Sequence, residues 1–152
     1  MSYQANAYGA AGNYASVGLR TNVETASPHR LVLLLLDGAL EKLRTAKLCM
    51  QRGQIADKGA QISWAISIID GLRASLDLAQ GGELASNLDA LYDYMGRTLL
   101  ESNLRNDPEK INEVVQLLGE IRIGWKGIES EVDGPQGRPA ENRLESHRLA
   151  IS

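Results

Sequence analysis

Few side chains in this sequence are suited to nucleophilic or acid–base chemistry: two histidines, His29 and His147, and one cysteine, Cys49. A catalytic nucleophile needs a base that orients it. His29 stands in "SPHR", at the expected start of a helix, a place more typical of a solvated residue than of a catalyst. Cys49 lies in an apolar helical stretch, which is typical of a buried thiol. The residues therefore predict that the protein is not an enzyme.

Metal and phosphate sites find equally little support. A di-iron site in a helical bundle needs Glu-x-x-His pairs, and neither histidine has a glutamate three positions before it. Zinc sites need clusters of cysteine and histidine, which this sequence lacks. The stretch "GAAGN" at 9–13 has no lysine and no preceding strand, so it is not a phosphate-binding loop. We expect no metal and no cofactor.

Composition limits the kinds of partner that the protein can be expected to bind. The chain has 152 residues, 43% of them hydrophobic, and a net charge of −3, which suits one globular domain. Nucleic acid is not expected, because phosphate binding needs clustered Lys and Arg. The longest apolar run, residues 31–36, is far shorter than the roughly 18 residues of a membrane span. The N-terminus lacks the features of a signal peptide, so we expect a cytoplasmic protein without stable membrane insertion.

Four segments with apolar residues at steps of three and four predict helices. The first begins at Ser27 and Pro28, a good N-cap and first helical residue, and stops at Gly53. The remaining three are predicted from 54–57 to "AQGG" at 79–82, from 83–86 to 105, and from Asp107 and Pro108 to about 132.

Short links between long helices predict an all-α, antiparallel, up-down-up-down four-helix bundle. We expect three regions: a flexible N-terminal arm at 1–26, the bundle at 27–132, and a disordered tail at 133–152. The tail carries prolines, glycines and balanced charges, with a short helix expected near 140–150.

Two features of the bundle are unusual. "LVLLLL" at 31–36 places apolar side chains all round a helix, where one core needs only a stripe. Further apolar residues widen the stripe on two other helices: Leu100 and Leu104 on the third, and Val115, Leu117 and Ile123 on the fourth. Six glycines also fall inside helices, each costing roughly 0.5–1 kcal/mol relative to alanine; they are Gly38, Gly71, Gly96, Gly119, Gly124 and Gly127. Tight bundle packing and a binding groove for a partner's amphipathic helices both explain such a pattern.

Four stretches together resemble a known family. They are "AY" at 7–8, "TASPHRLVLLLLDGAL" at 25–40, "NLDALYDYMGRTLLESN" at 87–103 and "NEVVQLLGEIRIGW" at 112–125. In order and spacing they are similar to the FliS family of flagellar secretion chaperones. The resemblance covers about residues 5–130. One departure is Leu36, where the family often has tyrosine before Asp-Gly-Ala.

The resemblance implies a function. Members of this family are helical bundles that bind the C-terminal segment of flagellin, block its premature polymerisation and help to deliver it to the flagellar type III export gate. Two sets of residues are then expected to matter. The first would contact flagellin: Leu31, Leu34, Leu35, Ala39, Leu117 and Ile121. The second, Tyr8 with Tyr14, would cap the groove until flagellin displaces it.

Two alternatives stay open at the level of sequence. One is a phosphotransfer-type signalling bundle that uses His29. The other is a structural bundle that self-associates through its apolar faces, with a homodimer in the absence of client.

Overall fold

Four long helices make up the part of the chain that the computed structural model describes, residues 27–133, with side chains described as far as Ile128. They are α1 (Pro28–Gln51), α2 (Ile55–Ala74), α3 (Gly82–Arg105) and α4 (Pro108–Asp133). The helices form a ring in which each contacts its two neighbours: α1 with α2 and α4, and α3 with α2 and α4. The predicted all-α bundle is confirmed. The N-terminal arm and the tail from 134 onward lie outside the described residues.

Hydrogen bonds between helices define their direction. Trp125, in the second half of α4, donates its indole N–H to the carbonyl of His29 at the start of α1. Lys58, at the start of α2, donates a hydrogen bond to the carbonyl of Asn103 at the end of α3. Contacts between the start of one helix and the end of its neighbour require an antiparallel, up-down-up-down arrangement.

The predicted starts of α1 and α4 are confirmed by their capping contacts, whereas α3 begins at Gly82, just before the predicted 83–86. The Ser27 hydroxyl accepts a hydrogen bond of 3.1 Å from the backbone N–H of Arg30, and Pro28 is the first residue of α1. At the start of α4 the Asp107 carboxylate accepts a 3.0 Å hydrogen bond from the N–H of Glu109. These bonds satisfy N–H groups that have no partner within the helix.

Helix α2 ends earlier than predicted, at Ala74 instead of near 79–82. The hydroxyl of Ser75 donates a 2.7 Å hydrogen bond to the carbonyl of Leu72, and the Asp77 carboxylate accepts one of 3.0 Å from the N–H of Gln80. Such local bonds compete with the helical pattern and favour a turn. Leu76, which continues the heptad spacing of α2, packs against the core from this connection.

The core is aliphatic and draws on all four helices. Its largest fully buried side chains include Leu33, Leu36, Leu43, Ile62, Ile68, Ile69, Leu72, Met95, Leu99, Ile111, Val114 and Leu118. At one end of the bundle the Trp125 ring stacks on His29, with centroids 4.9 Å apart, and its N–H donates to the His29 carbonyl at 2.9 Å. None of the described helices is long and apolar enough to cross a membrane.

Candidate functional site

Two open grooves run between neighbouring helices on opposite sides of the bundle. Each is lined by residues spaced three or four apart, so each helix contributes one flank of its surface. The larger groove, which we call the α1–α4 groove, has a volume of about 460 Å³. The smaller one, the α2–α3 groove, has a volume of about 150 Å³.

The α1–α4 groove combines apolar and charged side chains. Its lining is Asp37, Leu40, Arg44, Val115, Gly119, Arg122 and Ile123. The guanidinium of Arg122 donates to the Asp37 carboxylate across the groove. Ile123 is 73% exposed, which is unusual for an isoleucine and leaves most of its side chain in water. The groove therefore offers unburied apolar surface bordered by an ion pair.

The α2–α3 groove has the same ingredients. It is lined by Ile66, Asp70, Arg73, Tyr92, Asp93, Gly96, Arg97 and Leu100. Leu100 is 60% exposed, and Leu104, one turn further along α3, is 85% exposed. Both were expected from the sequence to extend the apolar surface of α3, and their exposure confirms this. An apolar wall again lies beside charged groups.

Arg73 organises the charges of the α2–α3 groove. Its guanidinium lies 2.7 Å from one carboxylate oxygen of Asp89 and 3.1 Å from one of Asp93. The hydrogen bond with Arg73 lowers the pKa of Asp89, although desolvation acts in the opposite direction. The hydrogen bond with Asp89 likewise raises the pKa of Arg73. Nearby, burial raises the pKa of Tyr92 to about 12.

The residues selected from sequence for partner binding fall into two groups. Ala39 has no exposed surface and belongs to the core, and Leu34 is only 7% exposed. Leu31, Leu35, Leu117 and Ile121 are half-buried, and the last three of these pack against the core. None of the six is among the residues that line the two grooves.

Ala39 is buried because it continues a heptad of core residues. Val32 and Ala46, seven positions away on either side, are also in the core. In this conformation Ala39 is therefore unavailable to a partner. The groove residues that the selection missed carry a readable signal, since positions 37, 40 and 44 and positions 115, 119 and 122 each follow helical spacing along one flank. Tyr8 and Tyr14 lie outside the described residues.

The structure gives little support to phosphotransfer chemistry at His29. Its ring is half-buried and stacked against Trp125, whereas a phosphate acceptor has to be reached by a donor protein. Among residues 27–128, no group of His, Cys, Asp and Glu side chains is arranged to hold a metal ion. His147 lies outside the described part of the chain. The cysteine, Cys49, is free and buried.

A helical bundle with two apolar, charge-bordered grooves has the form of a protein-binding module. Residues 10–132 match the family described as "Flagellar protein FliS". The chain therefore belongs to the FliS family, as its sequence resemblance indicated.

Relatives named as flagellar secretion chaperones occur in several bacteria. The flagellar secretion chaperone FliSB of Pseudomonas aeruginosa is 50% identical over 115 residues, which cover 76% of this chain and 91% of the relative. The flagellar secretion chaperone FliS of Salmonella typhimurium is 47% identical over 126 residues, covering 82% and 93%. The FliS of Bacillus subtilis is 33% identical over 113 residues, covering 74% and 84%. These relatives are named as chaperones and not as enzymes.

Proposed function

We propose that this protein is a cytoplasmic export chaperone for flagellin. In this proposal it binds the C-terminal segment of flagellin in its surface grooves and so prevents premature polymerisation of flagellin. It also assists delivery of flagellin to the export gate of the flagellar type III secretion apparatus. Membership of the FliS family supports the class of function.

The observation that carries the proposal is the pair of grooves on opposite sides of the bundle. Ile123 in one groove and Leu100 in the other are more than half exposed, although both lie on well-formed helices. Amphipathic segments of a partner bury such side chains when they bind in a groove. A client that reaches both grooves gains apolar contact on two faces.

The residues selected from sequence are expected to widen this contact surface. Leu31, Leu35, Leu117 and Ile121 keep part of their surface in water and stay in the proposal as flanking contacts. Contact with Leu34 or Ala39 requires neighbouring groups to move aside, because both are buried. Tyr8 and Tyr14 are proposed to cap the binding surface until flagellin displaces them.

Self-association through the same exposed aliphatic residues is the competing explanation. Light scattering coupled to size-exclusion chromatography separates the two. The protein is measured alone and with a peptide of the last ~50 residues of flagellin from the same organism, with a scrambled peptide as the control. The proposal predicts that the native peptide forms a complex of higher mass with the protein and that the scrambled peptide does not. A dimer whose mass is unchanged by either peptide would contradict the proposal and favour a structural bundle.

The capping proposal needs a separate experiment. Deletion of residues 1–15 removes both tyrosines and leaves the four described helices intact. If these residues cover the binding surface, the shortened protein binds the flagellin peptide more tightly than the full chain does. Tyr8→Ala with Tyr14→Ala, in the full chain, should reproduce much of that gain. Equal affinity for the full and shortened chains would argue against a cap.

A further inference from the structure

Each groove contains a glycine in the middle of a helix. Gly96 of α3 lines the α2–α3 groove, and Gly119 of α4 lines the α1–α4 groove. A Cβ atom placed on either residue would meet nothing within 4 Å beyond its two chain neighbours and the adjacent backbone of its own helix. Close packing between the four helices therefore does not require glycine at either position.

The free bundle gives a reason to replace these glycines and none to keep them. Glycine in a helix interior is less favourable than alanine, because it has more backbone freedom to lose on folding. A Gly→Ala change stabilises a protein when the new methyl group fits without strain. Neither residue has the positive φ angle that would exclude alanine, unlike Gly53 and Gly82.

We propose that Gly96 and Gly119 set how closely the bound client approaches the floor of each groove. Each glycine has an exposed aliphatic side chain four residues further along the same flank, Leu100 and Ile123 respectively. Without a side chain at the glycine, a client segment can bury that aliphatic residue and contact the helix backbone beside it. This inference rests on the proposed function and takes the C-terminal segment of flagellin as the occupant.

Charge supports an amphipathic occupant over a purely apolar one. An Asp–Arg ion pair bridges the two helices of each groove, Asp37 with Arg122 and Asp93 with Arg73. A client segment with polar side chains along its edge would meet these charged groups without burying them against apolar surface. Each glycine therefore lines the same groove as a charged pair and an exposed aliphatic side chain.

Gly124 provides a matched control. It lies in α4 only five residues from Gly119, a Cβ atom there would also meet nothing within 4 Å, and it lines neither groove. Nothing in the structure explains why this position is glycine. Gly119→Ala, Gly96→Ala and Gly124→Ala should therefore act alike on the stability of the free protein and differently on client binding.

The test combines thermal unfolding with calorimetric titration of the full chain by a peptide of the last ~50 residues of flagellin. All three variants should raise the melting temperature by roughly 2–8 °C. Gly119→Ala and Gly96→Ala should weaken peptide binding roughly 5-fold or more, because an added methyl group disrupts close packing. Gly124→Ala should bind like the wild type. Gly119→Leu should weaken binding further, and Gly124→Leu should not.

The outcomes separate this inference from the proposed function. If the wild type does not bind the peptide, the proposed function fails first. If the wild type binds and all alanine variants bind equally well, the inference is wrong and the chaperone function stands. A fall in melting temperature for Gly119→Ala would also overturn it, since the methyl group would then lack the free space that the argument requires.

Discussion

Replacing Ile123 by glutamine tests the α1–α4 groove directly. Full burial of an isoleucine side chain contributes about 1.5–3 kcal/mol. Because Ile123 is 73% exposed in the free protein, roughly 1–2 kcal/mol of that remains to be gained when a client covers it. Loss of this contribution should weaken client binding by roughly 5- to 30-fold.

The same change should have little effect on the stability of the free protein. Glutamine is a good helix former, and an exposed substitution usually alters the free energy of unfolding by about 0.5 kcal/mol or less. Urea unfolding should therefore give nearly equal stabilities for Ile123→Gln and the wild type. Titration calorimetry with the flagellin peptide should give clearly different affinities.

Leu78→Gln is the control for this prediction. Leu78 is 55% exposed but lies in the connection between α2 and α3, outside the lining of both grooves. Its replacement should leave the affinity unchanged. Equal losses for Ile123→Gln and Leu78→Gln would mean that general surface hydrophobicity, and not the groove, determines binding. No loss for Ile123→Gln would refute the assignment of this groove.

Three further predictions concern stability and titration. Lys58 is 4% exposed and donates hydrogen bonds of 3.1 Å to two oxygens at the end of α3. Lys58→Gln should therefore lower the free energy of unfolding, measured in urea, by about 1–3 kcal/mol. Lys47→Gln in α1 should lower it much less, because Lys47 is only half-buried. The hydrogen bond with Arg73 lowers the pKa of Asp89 below its ordinary value, so this carboxylate stabilises the fold above the ordinary pKa and loses that effect as pH falls through the lowered pKa. Asp89→Asn should therefore lower the melting temperature at neutral pH and flatten its decline in acid. Identical acid profiles for the variant and the wild type would contradict this. Burial raises the pKa of Tyr92 from 10.0 to about 12. The buried phenol therefore contributes to folding stability below pH 10, and this contribution is lost as pH approaches 12. The ultraviolet tyrosinate titration of Tyr92→Phe should lack only the last, most alkaline step, and loss of an earlier step would contradict the burial of Tyr92.

Local sequence signals predicted the starts of α1 and α4 because the responsible contacts are local. Ser27 and Asp107 cap helices through atoms only two or three residues away, and a proline follows each of them. Such contacts form in the same way whatever the tertiary environment. The number, direction and order of the helices followed from these signals and from the short links.

The end of α2 and the details of the grooves were harder to predict. The turn at Ser75 and Asp77 depends on side-chain hydrogen bonds that compete with an uninterrupted heptad pattern. The burial of Ala39 depends on how α1 rotates against its neighbours, which periodicity alone leaves uncertain where an apolar run surrounds the helix. The Asp37–Arg122 pair joins residues 85 positions apart, so it is visible only once the bundle is assembled.

The central claim is that the grooves bind the C-terminal segment of flagellin by burying apolar surface. Calorimetric titration of the full chain with a peptide of the last ~50 residues of flagellin, at several temperatures, tests this most directly. Binding in the grooves should be saturable and should show a negative heat-capacity change, the mark of apolar burial. Absence of binding by the folded protein, or binding with no heat-capacity change, would contradict it.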